Sequence, residues 1–309
     1  MIYAVRHRTA YSYESPVTLS SHRLRLTPRE TPRQKLRRFA LEIAPEGALL
    51  AAERDSFGNA SHLLEIRESH SALVIEARSE VALTPLAPPL DATPWEEVAA
   101  AASRPTGAEA AEAAAFAFPS RFTCADDALE DWTRESFPPG RPVLAAADAL
   151  MRRIHAEFRY DGAATHAGTT AMDAFALRAG VCQDFAHVFL AACRALGLPA
   201  RYVSGYLLTR PPEGRERLVG ADASHAWVAV WRPQGGWADY DPTNAVAPDL
   251  EHVTCAWGRD YGDVGPVVGV VLGASRASAP RAGPPRGQTI SLWRTYDIGH
   301  FPFDPCAGW

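Results

Sequence analysis

Two sets of side chains alternate along the first ninety residues of the chain. From Tyr3 to Tyr11, every second residue falls on the same face of a predicted strand. The same period of two recurs at the apolar positions of 39–43, 62–66 and 73–81. Turn-forming segments, including Pro45-Glu46-Gly47, separate these runs. Short strands at regular spacing are typical of an antiparallel β-sandwich, which we predict for residues 1–90.

The pattern changes from strands to helices in the next segment. Pro85, Pro88 and Pro89 predict a linker, and alanine-rich sequence follows it. Helix-start signals occur at 93–96, where Thr93 is the expected cap, and again at 106–109. We therefore predict a helical connector over residues 91–140, ended by Pro138-Pro139-Gly140.

Helical and strand periods follow each other in residues 141–275. A helix face is predicted at Ala147, Met151, Ile154 and Phe158. A second helix is predicted to begin at Cys182 and to end at Gly197 and Pro199, with four residues on its buried side: Phe185, Phe189, Cys193 and Leu196. Four strands are then predicted, at 201–208, 225–231, 237–240 and 267–272. A helix followed by several strands indicates an α+β domain.

The last segment, residues 276–309, has a different composition. Its first part, 276–287, is rich in proline, glycine and arginine, which is typical of a linker. Ile290 and Leu292 then alternate with polar residues, so we predict one edge strand there. The sequence suggests no function for this segment.

Composition narrows the classes of function. Charged residues make up 22% of the 309 residues and the net charge is −5, so we expect no nucleic-acid partner. The chain has no run of 18 apolar residues and its start does not resemble a signal peptide, so we expect neither a membrane partner nor secretion. Five scattered cysteines without a C-x-x-C pair argue against a disulfide framework and a structural zinc site, and favour a cytoplasmic location.

Basic residues are unevenly distributed. Of the 31 basic residues, Lys35 is the single lysine. Arginines are concentrated between Arg23 and Arg38, and two interpretations stay open for them. The stretch is either an anion-binding surface or a solvated strand face that deters aggregation, and the second is the more common structure.

Cys182 is the strongest candidate for chemistry. It follows Gly180-Val181 and opens the second predicted helix. The unpaired N–H groups and the positive dipole end of a helix N-terminus favour a thiolate, which is the nucleophilic form of cysteine. The same N–H groups can stabilise an oxyanion. A helical cysteine taken alone is more often a small buried side chain.

His225 and Asp241 are the candidates for a base and its orienting carboxylate. His225 begins one predicted strand, on a face with Trp227, and Asp241 follows the end of the next strand. A short hairpin would bring the start of the first strand beside the end of the second. That arrangement suits a histidine oriented by a carboxylate.

Other polar and aromatic residues near these positions have simpler interpretations. We expect Asp184 to be a favourable helix N-terminal charge and Gln183 to be either an oxyanion donor or a capping residue. His187 lies on a different face of the helix from Cys182, and Tyr206 and Trp227 are core residues or cleft walls. A metal site on Cys182, His187 and Cys193 would lack an identified fourth ligand, so we predict no metal.

These motifs resemble the transglutaminase-like superfamily. The matching segments are Gly180-Val181-Cys182-Gln183-Asp184-Phe185-Ala186, Gly197 to Tyr206, His225-Ala226-Trp227, and Trp237 to Asn244. The first ninety residues resemble the β-rich N-terminal domain of bacterial members, so the resemblance covers residues 1 to 275. It implies a papain-like core in which a helix with the cysteine packs on an antiparallel sheet.

The resemblance also implies a reaction. Cys182 would be the nucleophile, His225 the base and then the acid, and Asp241 the orienting group, acting on a carboxamide or peptide bond through a thioester. Amine transfer, hydrolysis by a peptidase or amidase, and a non-catalytic peptide-binding module all stay open. The substrate would be a peptide, a protein or a small amide, and the sequence does not define the oligomeric state. No cofactor is expected, since the chain has no EF-hand-like loop for calcium.

Overall fold

The computed structural model describes residues 1–87, 90–208, 224–273 and 289–294. The first part of the chain forms six strands: β1 (Ile2–Val17), β2 (Leu19–Leu24), β3 (Gln34–Ala44), β4 (Leu49–Arg54), β5 (Ala60–Ile66) and β6 (His70–Leu83). The four strands predicted from alternation are therefore confirmed. Alternation did not identify β2 or β4, and the outer strand β4 is mostly exposed.

Helices dominate the middle of the chain. They are α1 (Trp95–Ser103), α2 (Ala108–Ala114), a 3₁₀ turn (Ala115–Ala117), α3 (Asp127–Arg134), α4 (Val143–Glu157), α5 (Ala171–Leu177) and α6 (Cys182–Ala195), with two-residue strands β7 (Arg159–Tyr160) and β8 (Ala179–Gly180) between them. The two predicted connector helices are confirmed. The expected Thr93 cap is wrong, because Pro94 occupies the cap position of α1 and no side chain caps it.

The remaining elements are mostly strands: β9 (Ala200–Leu207), β10 (Ser224–Arg232), β11 (Gly236–Tyr240), β12 (His252–Gly258), α7 (Tyr261–Val264), β13 (Val267–Leu272) and β14 (Thr289–Arg294). The sequence did not predict β12 as a strand. The predicted linker at 276–287 and Cys306 lie outside the described residues.

Two four-stranded antiparallel sheets form the N-terminal sandwich. Their strand orders are β14-β1-β6-β3 and β13-β2-β5-β4. Apolar residues of both sheets meet in one buried cluster, which includes Leu24, Leu64, Leu73 and Ile75. The sandwich predicted from the alternating pattern is therefore confirmed, and it is stabilised by burial of one face of each sheet.

The sandwich also contains strands from much later in the chain. β13 pairs with β2, and β14 pairs with β1. We expected 267–272 to belong with the preceding strands, but its hydrogen bonds join it to the N-terminal sheet. The expected unit boundaries at 90, 140 and 275 stay predictions, although the pairing of β13 crosses one of them.

The second half of the chain is built around α6 and one antiparallel sheet, ordered β11-β10-β9-β12. Ala226, Val228 and Val230 of β10 face α6 in the largest buried cluster. Phe185 and Phe189 of α6 are buried in the same cluster. Burying each of these rings contributes roughly 1.5–3 kcal/mol, which holds the first turn of α6 in place against the sheet. The α+β fold class is confirmed.

No helix in the described ranges is both long enough and apolar enough to cross a bilayer. The four cysteines within those ranges, Cys124, Cys182, Cys193 and Cys255, are free thiols.

Candidate functional site

The chain enters α6 through a glycine that approaches Asp184 closely. A Cβ atom on Gly180 would lie 2.5 Å from Asp184 Oδ2, so a larger residue does not fit. Asp184 Oδ2 accepts hydrogen bonds from the Val181 N–H over 2.8 Å and from the Thr165 hydroxyl over 2.6 Å. Asp184 therefore fixes the start of the helix, in agreement with its expected role as a helix N-terminal charge, and orients the first turn that contains Cys182.

Burial and hydrogen bonding oppose each other at Asp184. Burial raises the pKa of Asp184, and the hydrogen bonds from Thr165 and Val181 limit that rise. Its Oδ1 atom is buried without a hydrogen-bond partner. Asp184 thus acts on the position of the backbone at Cys182 and does not touch the thiol cleft.

The hairpin of β10 and β11 brings His225 and Asp241 together. Val228 pairs with Tyr240, so Asp241 lies next to the first residues of β10. His225 Nε2–H donates to Asp241 Oδ2 over 2.7 Å, and both side chains are buried. The hairpin expected from the sequence is confirmed.

The His225–Asp241 contact shifts both groups toward their charged forms. Burial lowers the pKa of His225, but hydrogen bonds with Asp241 and Cys182 outweigh it and raise the pKa to about 10. Burial alone would raise the pKa of Asp241, yet hydrogen bonds from His225, His252 and Asn244 hold it well below its usual range. An imidazolium and a carboxylate therefore face each other at neutral pH.

Cys182 and His225 line the same cleft, and the Cys182 side chain is among the neighbours that raise the pKa of His225. Because Asp241 occupies Nε2, Nδ1 is the ring nitrogen that remains to face the thiol. Cys182 is half-buried and stands at the first residue of α6, where the helix N–H groups lack intrahelical acceptors. The structure thus places Cys182 in the same cleft as His225, at one end of a chain of contacts that runs from His225 to Asp241.

Two further side chains join this chain of contacts. Asn244 Nδ2 donates to Asp241 Oδ2 over 2.7 Å, and His252 Nε2–H donates to the same oxygen over 3.2 Å. Asn244 belongs to the Asp-Pro-Thr-Asn segment, so the sequence contained a signal for it. His252 is an isolated histidine on the unpredicted strand β12, and no spacing or motif marked it.

The same three groups form a candidate ligand set for a metal. One ligand atom each from His225, Asp241 and His252 lies within 4.8 Å of the other two. Asp241 Oδ2 is at hydrogen-bond distance from both imidazoles, and a zinc ion would need all three atoms about 2.0–2.2 Å from its centre. The observed contacts suit proton-sharing partners, and the absence of a metal stays a prediction.

A cleft of about 350 Å³ opens at Cys182 and His225. Its walls come from both halves of the molecule, since Thr9 and Tyr11 of β1 face it from the sandwich. Other lining residues include Gln183, Ser204 and the aromatic side chains of Tyr160, Tyr202 and Tyr261. Gln183 Nε2 donates to the Ala167 carbonyl over 3.3 Å, so its amide already has a protein partner.

Several sequence candidates lie away from the cleft. His187 is buried, stacks on Phe122 and accepts a hydrogen bond from the Tyr261 N–H over 3.2 Å. Burial lowers the pKa of His187 to about 4, as expected for a neutral core histidine. Tyr206 and Trp227 are also core residues, and burial raises the pKa of the Cys193 thiol.

Comparison with known proteins adds family information to this geometry. The model of the bacterial transglutaminase-like N-terminal region matches residues 3–82, and that of the transglutaminase-like superfamily matches residues 130–242. An uncharacterised protein of Mycobacterium tuberculosis is 38% identical over 285 residues, which cover 89% of both chains.

Two further proteins are similar to this chain over part or most of its length. A protein-glutamine gamma-glutamyltransferase of Pseudomonas aeruginosa is 36% identical over 125 residues, which cover 40% of this chain and 18% of that protein. A solved structure from Cytophaga hutchinsonii, described as a candidate cysteine protease, has a TM-score of 0.68 at 21% identity and covers 95% of this chain and 98% of its own. At that identity the likeness shows a shared fold.

Proposed function

Because the chain belongs to the transglutaminase-like superfamily, we propose that it is a thiol enzyme that cleaves or exchanges carboxamide or peptide bonds through a thioester on Cys182. The placement of Cys182 in one cleft with His225, which is hydrogen-bonded to Asp241 over 2.7 Å, is the observation that carries this proposal. The substrate would be a peptide, a protein or a small amide. We propose the cytoplasm as the compartment, where thiols stay reduced.

The first half-reaction begins at the thiol. His225 is charged at neutral pH beside Cys182, and the thiolate is the nucleophilic form of cysteine. The thiolate attacks the carbonyl carbon, and the resulting oxyanion lies near the N–H groups of the first turn of α6. His225 then gives its proton to the departing nitrogen, the C–N bond breaks, and a thioester and an amine or ammonia remain.

The second half-reaction resolves the thioester. His225, now neutral, takes a proton from the incoming water or amine, which attacks the thioester carbonyl. The C–S bond breaks and Cys182 leaves as the thiolate. Asp241 keeps the imidazole ring in one orientation during both steps, because its Oδ2 holds Nε2–H throughout.

Hydrolysis is the second candidate among the outcomes of this chemistry. Cys182 is half-buried and faces the open cleft, so water reaches the position of the thioester without any change of structure. Transfer needs a primary amine to enter the same cleft. The two reactions share the first half-reaction and differ only in the acceptor.

Alkylation of the cysteines tests whether Cys182 is an activated nucleophile. Iodoacetamide is added to the native protein at pH 7, and peptide mass spectrometry follows the loss of each free thiol. Cys182 should react faster than the exposed Cys124, which serves as an internal control although it is more accessible. Equal or slower reaction of Cys182 would support a non-catalytic peptide-binding module.

A product analysis then identifies the acceptor. Short glutamine-containing peptides are incubated with the enzyme, with and without a primary amine. Peptides that gain the mass of the amine indicate transfer, whereas conversion of the amide to an acid in both samples indicates hydrolysis. An unchanged peptide pool with a fast-reacting Cys182 would direct the search to other amides.

A further inference from the structure

A second and larger cavity lies between the N-terminal sandwich, α2 with the following 3₁₀ turn, and the core sheet. Its volume is about 880 Å³, and none of its lining residues lines the Cys182 cleft. β9 separates the two spaces: Tyr202 and Ser204 face the cleft, while Arg201 and Val203 face the cavity. The proposed reaction uses no residue of this cavity.

Aromatic rings hold two guanidinium groups in this cavity. Arg201 Cζ lies 3.7 Å from the ring centroid of Trp257 and 4.2 Å from that of Trp237. Arg29 Cζ lies 3.5 Å from the ring centroid of Trp257. Contact with a ring face fixes the position of a guanidinium group and leaves its in-plane N–H groups directed outward.

Two donor atoms of the cavity arginines lack acceptors, whereas Arg33 Nη1 donates to the Pro248 carbonyl and Arg29 Nη1 donates to Asn59 Oδ1. Arg201 Nε and Arg33 Nη2 are buried and have no hydrogen-bond partner. An unpaired buried donor costs about 1–3 kcal/mol, so two of them in one cavity call for a functional reason. Burial also lowers the pKa of Arg201 to about 9 and that of Arg29 to about 10.

Acidic groups of the cavity do not satisfy these donors. Burial raises the pKa of Asp239, and the nearby charges of Arg201 and Arg33 limit that rise. Even so, Arg201 Nε and Arg33 Nη2 have no acceptor. Glu109 and Glu112 of α2 are exposed where they line the cavity. The buried side of the cavity therefore contains arginines with unpaired donors. Two of the acidic residues that line the cavity, Glu109 and Glu112, lie on its solvent-exposed side.

The arginine-rich stretch of the sequence supplies part of this set. Arg29 and Arg33 lie in the cavity, and Arg25 is buried in an ion pair with Asp55 at 3.0 Å. The interpretation as a solvated strand face is wrong for these three arginines, although Arg37 and Arg38 are exposed. The other interpretation, an anion-binding surface, fits an enclosed site with unpaired donors.

We propose that this cavity binds the carboxylate or phosphate group of a small molecule, held by Arg201 and Arg33 with Arg29 beside them. Guanidinium groups match both oxyanions through paired N–H donors. The cavity volume lies in the range of small-molecule sites, and a volume of this size is too small for a folded protein partner.

Isothermal titration tests this proposal with two defined anions. Sodium phosphate and sodium citrate are titrated separately into the full-length protein at constant ionic strength, kept with sodium chloride. We expect saturable binding of at least one of them at a single site. The anion that binds more tightly identifies the preferred group, carboxylate or phosphate.

Three variants locate the binding site. Arg201→Gln and Arg33→Gln should each weaken binding at least 10-fold, about the value of one charge-assisted hydrogen bond. Arg152→Gln is the control, since Arg152 is exposed on α4 and pairs with Asp148. If Arg201→Gln does not fold, the anion affinity of Arg33→Gln alone tests the proposal. Absence of saturable binding of both anions, or equal binding by Arg33→Gln and the control, would overturn the proposal.

Discussion

Two cavities formed by the described residues differ in how their polar groups are paired. Beside the Cys182 cleft, His225 is connected to Asp241, Asn244 and His252, and Asp241 Oδ2 alone accepts three hydrogen bonds. In the larger cavity, which is lined by Arg29, Arg33 and Arg201 and is called the arginine cavity below, the buried donors Arg201 Nε and Arg33 Nη2 have no hydrogen-bond partner. A connected set is organised for reaction before a substrate arrives, whereas unpaired donors favour a ligand that supplies the missing acceptors.

The largest expected effect is at the nucleophile. Cys182→Ala removes the thiol and leaves the hydrogen bond between His225 and Asp241 in place, so turnover should fall by about 10³-fold or more with little change in stability. Turnover of the peptide found by product analysis measures this. Cys124→Ala is the matched control, because it removes an exposed thiol outside the cleft, and it should retain full activity. Comparable losses in both variants would contradict the assignment.

The next effect tests the link between His225 and Asp241. Asp241→Asn keeps the size of the side chain and removes the charge, so turnover should fall by about 10²–10⁴-fold. The pH profile changes as well. Because hydrogen bonding with Asp241 raises the pKa of His225, activity of the parent protein should decline as the pH rises through about 10.

In Asp241→Asn this alkaline decline should begin at lower pH. The sign follows from the raised pKa: the charged imidazolium is present below the transition and is lost above it. Measurement of kcat/KM across the alkaline range records the shift. An unchanged alkaline limb would mean that Asp241 does not set the charge of His225.

A smaller effect is expected at His252, which the sequence did not indicate. His252→Phe keeps an aromatic ring but removes the hydrogen bond to Asp241, so turnover should fall by about 10-fold, as for other residues that orient a reactive group. His252→Gln retains a donor and should lose less. If the two variants lose activity equally, the role of His252 is packing and not orientation of Asp241.

Local features of the chain were sufficient to predict much of the cleft. The start of α6 at Cys182 follows from its glycine approach and its apolar face, and the His225–Asp241 contact follows from a short hairpin. Contacts between distant segments were not predictable in this way. β14 pairs with β1 from the other end of the chain, and a single sequence contains no periodicity that specifies such a partner.

The arginine cavity illustrates the same limit. The stretch from Arg23 to Arg38 suggested either a solvated face or an anion site. Trp257 decides the position of Arg29, yet it lies more than two hundred residues later and on a strand without clear alternation. The density of arginines in the sequence therefore indicated which residues could form an anion site. The tertiary fold determined where that site lies.

The smallest predicted effect concerns the approach to α6. Gly180→Ala would place a Cβ against Asp184, so the free energy of unfolding should fall by about 1–3 kcal/mol, and alkylation of Cys182 should slow as the first turn shifts. Gly162→Ala is the control, since a Cβ there has no neighbour within 4 Å. Equal unfolding midpoints in urea for the two variants would contradict the close approach.

Covalent trapping tests the central claim most directly. The enzyme is mixed with the converted amide, quenched rapidly in acid and digested, and mass spectrometry searches for the acyl group. We expect an adduct on the peptide that contains Cys182, released by hydroxylamine as a thioester should be and absent from Cys182→Ala. Conversion of the amide by a protein whose acyl group appears on another residue, or on none, would contradict the proposed reaction.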